Sequence, residues 1–497
     1  MKILNPLILI ALLVLECHVA WAQDNETTLY KEGPIQLHPE NPHYFKYQNR
    51  TMALITSAEH YGAVLNLDFD YKTYLRTLAE DGMNYTRIFT GSYFENPGDF
   101  GIEHNTLAPK KGKVITPWQV DYSNPERHIY DLSKFNTKYF ERLSDFMVTA
   151  DTYGIIVEIT LFSSIYQDAS WDINPQNPKN NKNLSDTLNR RDAQTINNKE
   201  LWSYQEKFVR KIVTELNAFD NFFFEIQNEP WSDNTLSVLN IVNKEELVEN
   251  DWQTKADFAQ PHSMAWQEKI AKTINETEEA LPKKHLIAQN YTNYKAPIPE
   301  VSEHIDIINF HYAWPEAIVW NYHYNKVIGF DESGFAGSSD QVYRRQAWRF
   351  MLSGGGLFNN LDYSFYVGSE NGLGNYKSPG GGSKVLRKQL KILNDFLHGF
   401  ALEELRPAPS VVFESAGLIP NVLSDNKGSF AIYLQSVGTD TSTLRLKTAN
   451  GNYEVRQLNT HTSILSEATT VTTEDGILSI EVTIPEGELA LKIKKLQ

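Results

Sequence analysis

The sequence predicts a (β/α)8 TIM barrel of the α/β class, followed by a small C-terminal antiparallel β-sandwich. Across residues 45–400, short apolar runs alternate with amphipathic stretches, one of which ends at Gly82. This strand-then-helix order is typical of a parallel sheet. Beyond Pro407 the helical period is lost and short alternating runs take over, which favours antiparallel strands. We therefore expect a barrel over residues 23–402 and a sandwich over residues 403–497.

The apolar runs place the barrel elements along the chain. Strands are expected at 52–57, 83–89, 154–162, 222–228, 285–290, 307–314, 326–332 and 354–363. Helices are expected at 71–81, 138–153, 200–219, 263–280, 341–352 and 384–398. In the first helix Tyr74, Leu75 and Leu78 fall on one face. Polar segments after the second and third strands, 90–136 and 163–197, are expected at the carboxyl edge of the barrel.

The first 22 residues are typical of a cleaved secretory signal. Lys2 precedes an apolar run over residues 7–15, so the mature chain should begin near Gln23 and be secreted or periplasmic. The one cysteine of the sequence, Cys17, lies inside this signal, which leaves the mature protein without a disulfide or a thiolate nucleophile. A lipoprotein acylated at Cys17 is the alternative, disfavoured because Glu16 stands where a small residue is expected.

Two strands deliver a glutamate to their carboxyl ends. The run 222–228 ends in Asn228-Glu229-Pro230, and a second run ends in Asp331-Glu332, 103 residues further on (332 − 229). Glycosidases use two carboxyl groups, one protonated to release the leaving oxygen and one ionised to attack the anomeric carbon. We assign Glu229 as acid/base and Glu332 as nucleophile, and we expect Asn228 to reach the sugar 2-hydroxyl from the end of its strand.

These motifs resemble those of the clan A glycoside hydrolases, and most of all their cellulase-like family five. The resemblance extends over most of residues 45–400, although only the two glutamate motifs are specific. It implies that Arg87 keeps the nucleophile ionised, with a structural ion pair as the alternative. It also implies that His311 binds substrate and that Tyr312 orients the nucleophile. In many members that tyrosine lies two residues beyond the histidine, so Tyr312 needs a bulge, or another aromatic has taken its role.

The chain departs from the family at the third strand, which has no histidine, and at the eighth, which has no tryptophan. Instead, Glu59 and His60 end the first strand and Asp362 ends the eighth, and we predict that these three bind sugar hydroxyls. Trp171, in the middle of segment 163–197, is predicted to belong to a substrate-binding wall. A disordered Asn-rich insertion is the alternative for that segment.

Composition limits the classes of ligand that the protein is expected to bind. The formal net charge is −16 and no block of Lys or Arg is present, which disfavours nucleic acid and anionic polysaccharide. We expect a carbohydrate substrate, no cofactor, no metal and no membrane span. The sugar, exo or endo action and the oligomeric state are not predicted, although long loops slightly favour exo action or a short, decorated substrate. The sandwich either caps the barrel or binds carbohydrate.

Two other function classes stay open. A non-catalytic sugar-binding barrel would be expected to have lost one of the two glutamates. A metal-dependent barrel hydrolase would want a His-x-His motif at the first strand, where Glu59-His60 supplies one histidine.

Overall fold

The computed structural model describes residues 33–121, 128–185, 187–239 and 255–496. The predicted signal, with Cys17, lies outside these residues. Within them, no helix has both the length and the apolar character needed to cross a membrane.

Eight parallel strands form the barrel, in the order that the sequence predicts. They are β1 (Leu54–Ala58), β2 (Tyr85–Phe89), β3 (Ile156–Ser163), β4 (Phe222–Asn228), β5 (Ile287–Asn293), β6 (Ile307–His311), β7 (Val327–Glu332) and β8 (Leu357–Leu361). Neighbours pair from β2 through to β8, and β8 then pairs with β1. Between β1 and β2 the side chain of Asn84 bridges the two edges, because its Oδ1 accepts from Ile55 N at 2.8 Å and its Nδ2 donates to Ala53 O at 2.9 Å.

Helices cover the outside of the barrel. They are α1 (Tyr71–Glu80), α2 (Thr137–Thr152), α3 (Leu201–Leu216), α4 (Pro261–Glu278), α5 (Pro315–Asn321), α6 (Asp340–Met351) and α7 (Lys384–Leu397). Helix α1 begins where Asp70 accepts hydrogen bonds from Lys72 N and Thr73 N, as expected of an N-cap residue. Residues 294–306, which join β5 to β6 and are all described, contain no helix.

The barrel interior is layered, because alternate residues of each strand point inward. The lowest layer takes one apolar residue from every strand: Leu54, Tyr85, Ile156, Phe223, Ala288, Ile307, Val327 and Leu357. A hairpin built from Phe45–Tyr47 and Arg50–Met52 closes this end, with Phe45 stacked on Phe223 at 6.0 Å.

Two residues further along each strand, the next layer is polar. It consists of Thr56, Arg87, Glu158, Glu225, Asn290, Asn309, Gly329 and Asn359, all of them buried. Gly329 is required there, since a Cβ at this position would overlap the Asn309 Oδ1 atom. The apolar floor therefore supports a polar layer directly under the carboxyl edge of the barrel.

The C-terminal residues form two packed antiparallel sheets, so the predicted fold class is confirmed. The strands are β9 (Arg406–Pro407), β10 (Val412–Ser415), β11 (Leu418–Ser424), β12 (Ser429–Ser436), β13 (Thr441–Lys447), β14 (Gly451–Leu458), β15 (Thr469–Thr473), β16 (Ile477–Thr483) and β17 (Glu488–Lys495). One sheet has the order β9-β11-β12-β17-β14-β15 and the other β10-β13-β16. Leu434, Leu446 and Ile480 belong to the core between them.

The sandwich is attached to the barrel through Glu488. Its buried carboxylate accepts a two-point contact from Arg344 at 2.7 and 3.0 Å and a further bond from Arg345 at 2.8 Å. Next to this cluster Trp348 stacks on Tyr433, with ring centroids 5.5 Å apart. Helix α6 is thus joined to the sandwich by one charged and one aromatic contact.

Candidate active site

A cavity of about 290 Å³ lies at the carboxyl ends of the barrel strands. Five of the predicted site residues line it: His60, Asn228, Glu229, Tyr312 and Glu332. One carboxylate oxygen of Glu229 and one of Glu332 lie within 4.8 Å of each other. Both side chains are almost buried, since Glu229 is 9% and Glu332 6% exposed. The structure therefore brings the two predicted acids together in one enclosed space.

The backbone turns sharply where each motif leaves its strand. Strand β4 ends at Asn228, and Glu229 has a φ of 47°, a left-handed conformation that is uncommon for a residue other than glycine. Because the chain stops being extended there, Asn228 and Glu229 both face the cavity instead of opposite sides. Asn290 holds this turn, since its Oδ1 accepts from Glu229 N at 3.1 Å.

Arg87 connects the polar layer to the cavity. It makes a two-point contact with Glu225, both bonds 2.7 Å long, and donates to Glu332 Oε2 at 3.1 Å and to Asn228 Oδ1 at 2.8 Å. Tyr61 lies under the guanidinium, with its ring centroid 4.7 Å away. Arg87 therefore contacts both the predicted nucleophile, Glu332, and the buried acid Glu225.

The turn after β6 supplies His311 and Tyr312. A register shift falls between Phe310 and His311 in the pairing with β7, and Tyr312 has a φ of 52°. The bulge gives Tyr312 access to the acids: its hydroxyl is 3.3 Å from Glu229 Oε1 and 3.2 Å from Glu332 Oε1. His311 lies beneath, with Nδ1 2.9 Å from Glu229 Oε1 and Nε2 3.5 Å from Asp331 Oδ2.

These contacts set the charge of the pair. Burial opposes ionisation of Glu229, but the hydrogen bond and charge of His311 outweigh it and keep the pKa of Glu229 below its usual value. Burial raises the pKa of Glu332, and the charge of Glu229 adds to this against His311 and Arg87. Burial would lower the pKa of His311, yet Asp331 and Glu332 raise it well above normal. These directions favour a protonated His311 beside an ionised Glu229 at rest, and the two directions for the glutamates are the reverse of those their predicted roles need.

Two groups of side chains have the donor atoms to surround a cation: Glu225, His311 and Asp331, and Glu229, His311 and Glu332. In both, carboxylate oxygens already face Arg87, at 2.7 Å for Glu225, 3.4 Å for Asp331 and 3.1 Å for Glu332. A metal ion would therefore share these carboxylates with the guanidinium of Arg87.

Three of the predicted binding residues, Glu59, Asp362 and Trp171, do not line the cavity and make other contacts. Glu59 accepts from the backbone of Gly62 and Ala63 and from Thr106, and burial raises its pKa to about 7. The Glu59 carboxylate thus has protein partners and stabilises the loop after β1.

Asp362 and the loop of Trp171 are likewise held by hydrogen bonds to other parts of the protein. Asp362 Oδ2 accepts from Arg387 at 2.7 Å and from Ser57 Oγ at 2.7 Å. Trp171 is 8% exposed and does not line the cavity. Its loop is ordered because asparagine side chains bond to its own backbone: Asn177 Nδ2, for example, donates to Trp171 O at 2.9 Å.

Sequence reasoning missed several residues of the site. Tyr166 lines the cavity and its hydroxyl accepts from Asn228 Nδ2 at 2.7 Å. Trp231, which also lines the cavity, packs edge-on against His311 at 5.4 Å. Glu225 positions Arg87, and its place four residues before Glu229 on an inward-facing position was a usable signal. Glu95 lines the cavity from the loop after β2, where no strand period marks it.

An eight-stranded barrel with two buried glutamates at the carboxyl ends of β4 and β7 belongs to the barrels whose active sites lie at that edge. No protein-family model matches the chain, and no curated protein matches its sequence.

Solved structures do share its fold. A protein from Bacteroides vulgatus, provisionally described as a glycoside hydrolase, superimposes with a TM-score of 0.64 at 14% identity, over 93% of this chain and 82% of that one. A second glycoside hydrolase gives a TM-score of 0.60 at 12% identity, over 94% and 98%. A family 5 glycoside hydrolase from Bacteroides vulgatus gives 0.58 at 12% identity, over 94% of both chains. The predicted resemblance to the cellulase-like family five of clan A is thus confirmed at the level of the fold.

Proposed function

We propose that the protein is a secreted retaining glycoside hydrolase that cleaves O-glycosidic bonds of an oligo- or polysaccharide by double displacement. The observation that carries this proposal is the approach of Glu229 and Glu332, with oxygens within 4.8 Å of each other and a shared contact to Tyr312. Retaining enzymes hold their carboxyl groups about 5–5.5 Å apart, whereas inverting ones keep about 6.5–9.5 Å to admit a water molecule.

The residues divide the reaction into two steps. In the first, a Glu332 carboxylate oxygen bonds to the anomeric carbon while the glycosidic C–O bond breaks and Glu229 gives its proton to the leaving oxygen. In the second, Glu229 takes a proton from water, whose oxygen displaces Glu332 from the sugar. We expect Asn228, whose side chain contacts Arg87 and Tyr166, to bond the 2-hydroxyl of the bound sugar.

The proton for the first step is available on His311, 2.9 Å from Glu229. Its transfer along that hydrogen bond converts an imidazolium–carboxylate pair into a neutral pair. A bound sugar excludes water from the cavity, and removal of water disfavours charged forms of buried groups. Substrate binding therefore shifts the proton toward Glu229, which reconciles the resting charges with the acid/base role.

The test uses aryl glycosides with good and poor leaving groups. Glu332→Ala should lose turnover, and added azide should restore it by forming a glycosyl azide of inverted configuration, because the anion enters on the vacated side. Glu229→Ala should retain activity on good leaving groups, which need no proton. Glu80→Ala, an exposed acid on α1, is the matched control.

Three outcomes separate the alternatives. An azide product of retained configuration from Glu332→Ala would mean that the two glutamates have exchanged roles. If NMR showed that the wild type first releases the sugar with inverted configuration, double displacement would be refuted. Tight sugar binding without any turnover would support a non-catalytic sugar-binding barrel instead. Secretion is tested separately by finding a mature N-terminus near Gln23 in the cell-free fraction.

A further inference from the structure

The cavity is closed on one side and open on the other. On the side of β1 and β2, three lining residues are buried: His60 is 7%, Glu95 5% and Leu107 1% exposed, while Phe100 of the same loop lies at the rim and is 40% exposed. On the opposite side, beyond β4 and β5, the lining residues Thr235 and Asp257 are exposed and partly exposed. Among the described residues, the second side is therefore the more open route for a chain of sugars.

The closed side is a wall, segment 95–107, which is bonded to neighbouring loops at Glu103 and Thr106. Thr106 Oγ1 donates to Glu59 Oε2 at 2.6 Å, and a Cβ on Gly62 would overlap the Thr106 carbonyl. Glu103 exchanges two 3.1 Å bonds with the backbone of Lys377, in the loop after β8. Glu59, which does not touch the cavity, therefore holds the wall that does.

His60 and Glu95 present polar atoms from this wall to the cavity. Neither ring nitrogen of His60 has a hydrogen-bond partner among the described residues, and Nε2 is 3.5 Å from Glu95 Oε2. Tyr93 and Asn105 fix the Glu95 carboxylate, at 3.1 and 2.5 Å. A buried polar group without a partner is costly, so a ligand with hydroxyl groups would complete this site.

We infer that the closed end holds one non-reducing terminal sugar, whose hydroxyls bond to His60 and Glu95, and that the protein is an exo-acting glycosidase. This inference rests on the proposed function. The leaving group lies on the Glu229 side, because Glu229 protonates its oxygen, and that side continues through Ser232 and Thr235 to solvent. The attacked sugar therefore lies between the glutamates and the wall, where buried His60, Glu95 and Leu107 stand in the path of a preceding sugar.

The first experiment follows products from oligosaccharides labelled at their reducing ends. An exo enzyme releases only monosaccharide at first and shortens the labelled chain by one unit at a time. Early appearance of unlabelled oligosaccharides would refute the inference while leaving a retaining hydrolase intact. Absence of turnover on every oligosaccharide and aryl glycoside would instead remove the proposed function itself.

The second experiment identifies the contacts to hydroxyls. The parent substrate is the nitrophenyl glycoside that the wild type hydrolyses with the highest kcat/KM. A deoxy analogue that lacks the hydroxyl facing the wall should be hydrolysed by the wild type with a kcat/KM about ten- to a hundredfold lower. His60→Ala and Glu95→Gln should lower kcat/KM for the parent sugar by a similar factor. For these variants, kcat/KM should fall little further when that deoxy analogue replaces the parent sugar. Glu80→Gln, on the outer helix α1, should show the wild-type pattern.

A wall that merely supports the fold predicts another result. His60→Ala and Glu95→Gln would then impair the parent and every deoxy analogue by equal factors, and the assignment of these two residues to hydroxyl recognition would be wrong. Melting temperatures within a few degrees of wild type are required of both variants before the kinetics are compared.

Discussion

Removing one oxygen from Tyr312 tests the geometry of the paired acids. Tyr312→Phe keeps the ring, which packs against Tyr294 at 6.0 Å and Phe335 at 6.3 Å, and deletes the hydroxyl that contacts Glu229 and Glu332. A hydrogen bond to a charged group contributes about 1.5–3 kcal/mol. The two contacts measure 3.3 and 3.2 Å, longer than the roughly 2.7–2.8 Å typical of hydroxyl donors. The lower bound therefore applies, and kcat/KM should fall about tenfold.

The pH profile gives a second, independent readout. A hydroxyl that donates to a carboxylate favours the ionised form, so its removal raises the pKa of the nucleophile. The activity lost at low pH, where Glu332 becomes protonated, should then begin at higher pH in Tyr312→Phe. At about 1.4 kcal/mol per pH unit, the acidic limb of kcat/KM should move up by about one unit.

The assay compares this variant with Tyr139→Phe on one aryl glycoside from pH 4 to 9. Tyr139 is a buried tyrosine of α2 whose hydroxyl has no hydrogen-bond partner among the described residues, so the same deletion there should change neither rate nor profile. If Tyr312→Phe kept the wild-type rate and acidic limb at an unchanged melting temperature, the hydroxyl would not couple the two acids, and the mechanism drawn from these distances would fail.

Three further changes test the layers around the site. Arg87→Lys keeps a charge but cannot bridge Glu225, Asn228 and Glu332 together, so kcat/KM should fall by about a hundredfold or more, as steady-state kinetics would show. Gly329→Ala inserts a methyl against Asn309 and should cost about 1–3 kcal/mol of stability in urea unfolding. Glu488→Gln breaks the contact with Arg344 and Arg345 and should cost about 3 kcal/mol at neutral pH. Burial opposes ionisation of Glu488, but both arginines keep its pKa low. The stabilisation from this lowered pKa is present above the ordinary pKa of a glutamate and is lost as the pH falls below it. Calorimetry should therefore show that the stabilities of wild type and variant converge in acid.

The barrel could be predicted from sequence because its signals are local. Strand and helix periods, glycine at helix ends and the apolar runs each depend on a few neighbouring residues, and the observed strands begin within about three residues of those expected. The glutamates were found for the same reason, since a strand end in a parallel barrel has one known direction. The polar layer could also have been predicted, because the inward-facing residues of β4 change from apolar Phe223 to charged Glu225 two positions later.

Glu59 and Asp362 show where sequence reasoning ends. Both follow a strand that ends at the correct edge, as Glu229 does, and no local pattern separates the three. All three have partners distant in sequence: Arg387 comes from 25 residues beyond Asp362, Thr106 from 47 residues beyond Glu59 and His311 from 82 residues beyond Glu229. What separates them is that Glu229 also lines the cavity, and this depends on tertiary packing alone.

The site buries several acidic side chains close together. Beneath Glu229 and Glu332 lie Glu158, Glu225 and Asp331, all buried, with Arg87 and His311 as the cations in contact with them. Burial raises the pKa of Glu158 far above normal and that of Glu225 to about 7, so burial opposes ionisation of both carboxyl groups in this layer. Formation of a bond between Glu332 and a sugar removes one more negative charge from the neighbourhood of His311. In the proposed mechanism His311 has by then passed its proton through Glu229 to the leaving oxygen, so it is neutral at the stage when Glu229 must act as a base. Glu229 then needs its own charge to activate water, and Tyr312, which contacts it directly, remains as the donor that stabilises that charge.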